Sequence, residues 1–109
     1  TLVTIGKSGN HFVFLVPVNR ELNLKKAAKT VGEKSISMVK QAELLPLTGY
    51  IHGGCSPVGM KKLFKTVIDE SASSYDKIIF SGGKIGYQIE TTLSELKKAI
   101  SFILGDISE

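Results

Sequence analysis

TLVTIGKSGNHFVFLVPV, Thr1 to Val18, holds two runs rich in Val, Ile, Phe and Thr, Thr1 to Ile5 and His11 to Val18, around GKSGN. The glycines and asparagine of that linker supply the positive φ angles a tight turn needs, so the stretch predicts an antiparallel hairpin. A chain that opens on a hairpin and not on a strand-helix-strand crossover points away from a regularly wound α/β protein. The remaining segments decide what covers the hairpin.

Asn23 is placed to cap a helix over LKKAAKTVG, in which Leu24, Ala27, Ala28 and Val31 share one face and Gly32 is the stop. SISMV reads as a short strand, and KQAELL as one or two helical turns cut by Pro46. A loop rich in glycine follows, then the strand LFKTVID, a turn or short helix at ESASSY, and the strands KIIFS and GYQIE around a tight GGK turn. Thr92 and Glu95 form a capping box that opens a last helix, LSELKKAISFIL, with Leu93, Leu96, Ile100, Ile103 and Leu104 on its buried side. The order β-β-α-β-α-β-β-β-α predicts an α+β fold: a mixed, largely antiparallel sheet or partial barrel flanked by helices. At 109 residues and 42% hydrophobic content, one domain over 1–109 is expected.

Fourteen Lys and Arg against ten Asp and Glu give a formal charge of +4, which favours an anionic partner such as RNA. No apolar run reaches membrane-spanning length and no secretion leader is visible, so a cytoplasmic location without membrane contact is expected. Cys55 stands alone, which rules out an internal disulfide and leaves a cysteine-based zinc site without companions. Neither a metal nor another cofactor is expected.

The densest chemistry lies in YIHGGCSPVGMKK, Tyr50 to Lys62. Gly53 and Gly54 free the backbone and Pro57 biases Ser56 toward an extended conformation, so successive amides can converge on an anion or on a carbonyl oxygen gaining charge. A plain Gly-Pro turn explains the same letters. His52 and Cys55, three apart on one loop, make a weak nucleophile-base pair, because such pairs are usually assembled from distant segments. His11 reads as a structural strand histidine. Ser81, at the end of a strand before Gly82 and Gly83, can bond the local backbone or project into a cleft. Lys61, Lys62 and Lys84 gather charge beside the two glycine turns, as a solvated face or as phosphate contacts.

Taken in series, LNLKKAAKTVG, LTGYIHGGCSPVGMKK, TVIDES and IIFSGGKIGYQIE resemble the YbaK/EbsC-type aminoacyl-tRNA deacylases, the family of the free-standing Cys-tRNA(Pro) deacylase and of the editing insertion in some prolyl-tRNA synthetases. The resemblance implies a mixed sheet with flanking helices and metal-free hydrolysis of the ester joining a wrong amino acid, cysteine or alanine, to tRNA(Pro). By position it gives Gly53, Gly54, Ser56 and Ser81 catalytic roles, and it puts Thr1, His52, Cys55, Pro57 and Gln88 at the substrate. It lays the tRNA across Lys61, Lys62 and Lys84, and it names aminoacyl-tRNA and prolyl-tRNA synthetase as partners.

Two departures bear on activity. The family's catalytic lysine directly precedes the threonine matched by Thr1, and the sequence opens at Thr1 in mid-strand without an initiator Met. A further N-terminal segment carrying that lysine is therefore expected, and the alternative is a non-catalytic module that grips aminoacyl-tRNA or a synthetase. Gln88 stands where family members often carry an aspartate. A third reading, from the residues alone, is a cysteine-based hydrolase of small esters or thioesters.

Overall fold

The computed structural model describes residues 1–109. The opening stretch forms the hairpin β1 (Leu2–Gly6) and β2 (His11–Leu15), paired antiparallel with Val3 opposite Val13. Asn23 caps α1 (Leu24–Val31), its side chain accepting from the Lys26 N–H at 3.0 Å, a bond worth about 1 kcal/mol. Next come β3 (Ile36–Met38), α2 (Gln41–Thr48), β4 (Lys65–Asp69), a 3₁₀ turn (Glu70–Ser74), β5 (Ile78–Ser81), β6 (Gln88–Thr91), α3 (Leu93–Ala99) and β7 (Ile103–Gly105). Five strands make one sheet in the order β3-β1-β2-β4-β7, and β5 and β6 pair as a separate ribbon. The fold is α+β with a mixed sheet: β1 pairs antiparallel with β2 and β3, whereas β4 runs parallel to both β2 and β7.

Both faces of the sheet are covered, as the strands' period of two requires. In β2, Phe12 and Phe14 point to one side, where they pack with Ala27 and Ala28 of α1, Val67 and Ile107. Val13 and Leu15 point to the other, where they meet Val39, Leu44, Cys55, Phe80 and Leu96. The second side carries α2, the Tyr50–Lys62 loop, the ribbon and α3, and the candidate site lies there.

Three expectations are corrected. The helix expected to end before Pro46 runs through it to Thr48, because proline removes only one N–H and the turn is rebuilt around it: the Gly49 N–H bonds the Leu45 carbonyl, and the Thr48 hydroxyl donates to the Leu44 carbonyl at 2.8 Å. The last helix stops at Ala99, and Ile103 and Leu104, expected on its buried side, are 44% and 42% exposed. Ile103 instead pairs with Val67 and Leu104 with Ile68 along the open edge of β4. That pairing carries the chain on to Ile107, which is fully buried against the α1 side. The strand expected over Leu63–Asp69 begins at Lys65, leaving Leu63 99% exposed.

Candidate active site

Thr48 closes the base of the long loop. Its hydroxyl accepts from the Tyr50 N–H at 3.0 Å while its carbonyl accepts from the Lys61 N–H at 3.0 Å, so the loop leaves and returns at one buried residue. Across the loop, the Tyr50 hydroxyl donates to the Val58 carbonyl. Gly83, with φ +103°, lies under the Tyr50 ring: a Cβ there would stand 3.0 Å from Cε1. Gly54 rests on the same turn, its absent Cβ 3.4 Å from Lys84 Cα and from the Ile85 nitrogen. The two glycine turns, thirty residues apart in sequence, are thus packed backbone to backbone.

Beside them opens a cleft of about 380 Å³. Its rim and floor bring together Thr1 from the start of the chain, His52, Gly53 and Cys55 from the loop, and Ser81 from the end of β5. Val3, Val39 and Leu44 supply apolar wall, with Met38 and Gln41 beside them. These wall residues carry no motif and were legible only as generic core. Gly54, Ser56, Pro57 and Gln88 are not among the lining residues: the first three are buried in the loop, and Gln88 is exposed on β6 opposite Ser81.

The loop's amides divide into two sets. The Gly54 N–H is engaged with the Ile51 carbonyl at 3.0 Å, and the Ser56 hydroxyl accepts from the Val58 N–H at 3.3 Å, closing a local turn. The N–H groups of His52, Gly53 and Cys55 bond no acceptor within the chain, and all three residues line the cleft. Gly53 takes φ +84°, a conformation that side-chain-bearing residues disfavour. The Ser81 hydroxyl accepts from the Gly83 N–H at 3.3 Å and still faces the cleft, so its two sequence readings hold together. The Thr1 hydroxyl is buried and has no hydrogen-bond partner in the chain, a costly state for a polar atom.

Cys55 is buried, its thiol directed at the Ile51 carbonyl at 3.6 Å. Burial pushes the thiol's pKa up, against a smaller opposing effect of the Thr48 hydroxyl. Because the thiolate is the nucleophile, such a thiol is poorly placed to attack. Cys55→Ala is accordingly expected to keep more than half of any ester-hydrolase activity; a loss beyond tenfold in a turnover assay would return the thiol to the chemistry. His11 lies away from the cleft, its ring 5.7 Å from that of Phe64, and no trio of His, Cys, Asp and Glu side chains is gathered in a way that would hold a metal ion.

The three lysines separate. Lys61 packs along Gly49, Lys84 lies 5.9 Å over the Tyr87 ring, and Lys62 lines a second groove.

A profile of the aminoacyl-tRNA editing domain matches residues 1–99. The chain belongs to that family. This editing domain is 51% identical over 90 residues to EbsC of Enterococcus faecalis, to which the activity of a Cys-tRNA(Pro)/Cys-tRNA(Cys) deacylase is ascribed; the match covers 83% of this chain and 55% of the relative, so the chain spans about half that protein's length. Among solved structures, one described as a trans-editing enzyme for prolyl tRNA synthetase superposes with a TM-score of 0.88 at 29% identity, covering 99% of this chain and 68% of the other. The hypothetical protein APE2540 gives 0.86 at 26% identity, covering 100% and 72%. These likenesses place the editing domain within the YbaK/EbsC type.

Proposed function

We propose that this editing domain hydrolyses the ester of a mischarged tRNA(Pro), with the cysteinyl or alanyl group held in the cleft. The observation that carries the reading is the set of unengaged loop amides, those of Gly53 and Cys55 among them, in residues that line an apolar cleft together with Thr1 and Ser81. An aminoacyl ester is already activated, so placing it against preorganised donors supplies much of the barrier reduction. Water adds to the ester carbonyl, the two N–H groups take the developing oxyanion, and the bond to the ribose oxygen breaks. The proton released by the water ends on that oxygen, giving free amino acid and tRNA. For cysteine, the substrate's own thiol can attack the carbonyl instead: a cyclic thioester forms as the bond to the ribose oxygen breaks, the thiol proton ends on that oxygen, and water then opens the thioester to free cysteine. Ser81 and Thr1 orient the ester and the amino group. Val3, Val39 and Leu44 bound the side chain, and steric exclusion by that wall is what rejects larger residues.

The test is incubation of the purified native protein with Cys-tRNA(Pro), Ala-tRNA(Pro) and Pro-tRNA(Pro). At least a tenfold acceleration over spontaneous deacylation is expected for one of the first two, and none for the third. Tight binding without turnover would favour the non-catalytic alternative, and neither binding nor turnover would end the reading.

A further inference from the structure

The Tyr50–Lys62 loop has a second side. Past Pro57 it turns away from the cleft and, with the end of α3, walls a groove of about 370 Å³. Lys62, Lys97 and Lys98 line that groove, and no acidic residue does. Its apolar part is Met60, Leu63, Phe64, Ala99 and Ile100, of which Leu63 is almost fully exposed. Two of the cations have local duties: Lys97 lies 5.8 Å from the Phe102 ring, and Lys98 pairs with Glu95 at 3.1 Å. Both of those contacts are at the surface, where they are worth little and yield readily to a stronger anion. Lys62 makes no ion pair.

We propose that the groove between Lys62 and the Lys97–Lys98 end of α3 binds the sugar-phosphate backbone of single-stranded or end-frayed RNA, with a base or ribose against Leu63 and Phe64. Lysines and apolar side chains lining one groove are the two elements such a strand requires: charge for phosphates, an apolar surface for a base. An acidic protein segment would also meet the charge, but it makes less use of the Phe64 face. The inference rests on the deacylase reading only for the identity of the RNA, and the groove and the cleft are two sides of one loop, with Pro57 and Lys62 on the first and Gly53 and Cys55 on the second.

The probe is an uncharged, fluorescein-labelled acceptor-stem minihelix of tRNA(Pro) with its single-stranded 3′ end, titrated with the native protein at several salt concentrations. Lys97→Glu/Lys98→Glu is expected to weaken binding about tenfold and to lower the slope of log affinity on log salt by about 1.4, at roughly 0.7 per contact to a single strand. Lys25→Glu/Lys29→Glu makes the same charge change on α1, across the sheet, and is expected to stay within twofold. Equal losses in the two variants would reduce the effect to net charge and overturn the proposal, as would wild-type protein that fails to bind the minihelix or a salt slope unchanged in the α3 variant. Loss of an acidic peptide and not of RNA from the α3 variant would overturn it in favour of a protein partner. Hydrolysis does not enter this assay, so a protein that binds as described but never deacylates sinks the reading of the cleft alone.

Discussion

Asp69→Ala is expected to destabilise the fold by about 3–5 kcal/mol, a large share of the 5–15 kcal/mol that holds a typical domain together. Asp69 is 2% exposed at the end of β4. One carboxylate oxygen accepts from the N–H groups of Ile107 and Ser108, each at 3.2 Å, and the other from the N–H and hydroxyl of Ser71. Alanine leaves these donors without an acceptor, two of them in residues with almost no access to water, and each orphan costs about 1–3 kcal/mol. Burial alone would raise the carboxyl's pKa, but the Ser71, Ile107 and Ser108 hydrogen bonds outweigh it and hold the group below the ordinary aspartate value. The unfolded chain therefore takes up the proton first as pH falls. The contribution is complete above the unfolded value, near 3.9, and fades as pH drops through the lower folded one. Urea titrations at pH 7 should give the loss for Asp69→Ala, and Asp69→Asn should flatten the acid limb of the stability curve. A loss under 1 kcal/mol with an unaltered acid limb would show that the C-terminal strand is held by packing alone.

The same residues explain what the sequence could and could not say about the fold. The first hairpin, the Asn23 cap and the Thr92 cap are local: each is written within a few residues of the atoms that bond, and each is found where the letters put it, although only half of the expected capping box forms, the Glu95 carboxylate pairing with Lys98 and not with the Thr92 N–H. The β7 strand is not local. ISFIL carries a helical spacing of apolar residues, and only the vacant edge of β4 and the buried seat for Ile107 make extension the better outcome. Pro46 is a similar case, since the loss of one N–H is offset by bonds from Thr48 and Gly49 that no propensity rule includes.

At the site, local chemistry gave a Gly-Pro turn with exposed amides and stopped there. The assembly of Thr1, Gly53 and Ser81 around one cleft depends on β1 lying inside the sheet, between β3 and β2, and on the ribbon folding back against the loop. No spacing along the chain encodes that. Family resemblance carried those positions to the site; it could not tell which amides are spent. The Gly54 N–H is spent on the Ile51 carbonyl, whereas those of Gly53 and Cys55 bond nothing in the chain, and this distinction needs coordinates.

Gly53→Ala is therefore the sharper probe of the loop, and it is expected to lower kcat for deacylation about a hundredfold with KM changed by less than about threefold. At φ +84° a Cβ is disfavoured by roughly 1–2 kcal/mol. Space is not the obstacle, because that Cβ would stand 3.6 Å from Ile85 Cγ1, an ordinary contact. Alanine relieves the strain by rotating the backbone, and the rotation re-aims its own N–H and the Cys55 N–H two residues on. One misplaced oxyanion donor typically costs about 2.7–4 kcal/mol, a factor of 10² to 10³. Gly9, in the β1–β2 turn at φ +93° with nothing near its absent Cβ, provides the control: Gly9→Ala imposes comparable backbone strain far from the cleft. Both variants should lose a few degrees of Tm, and only Gly53→Ala should lose turnover. If the two lose turnover alike, the effect is one of stability, and the amides of this loop do not hold the oxyanion.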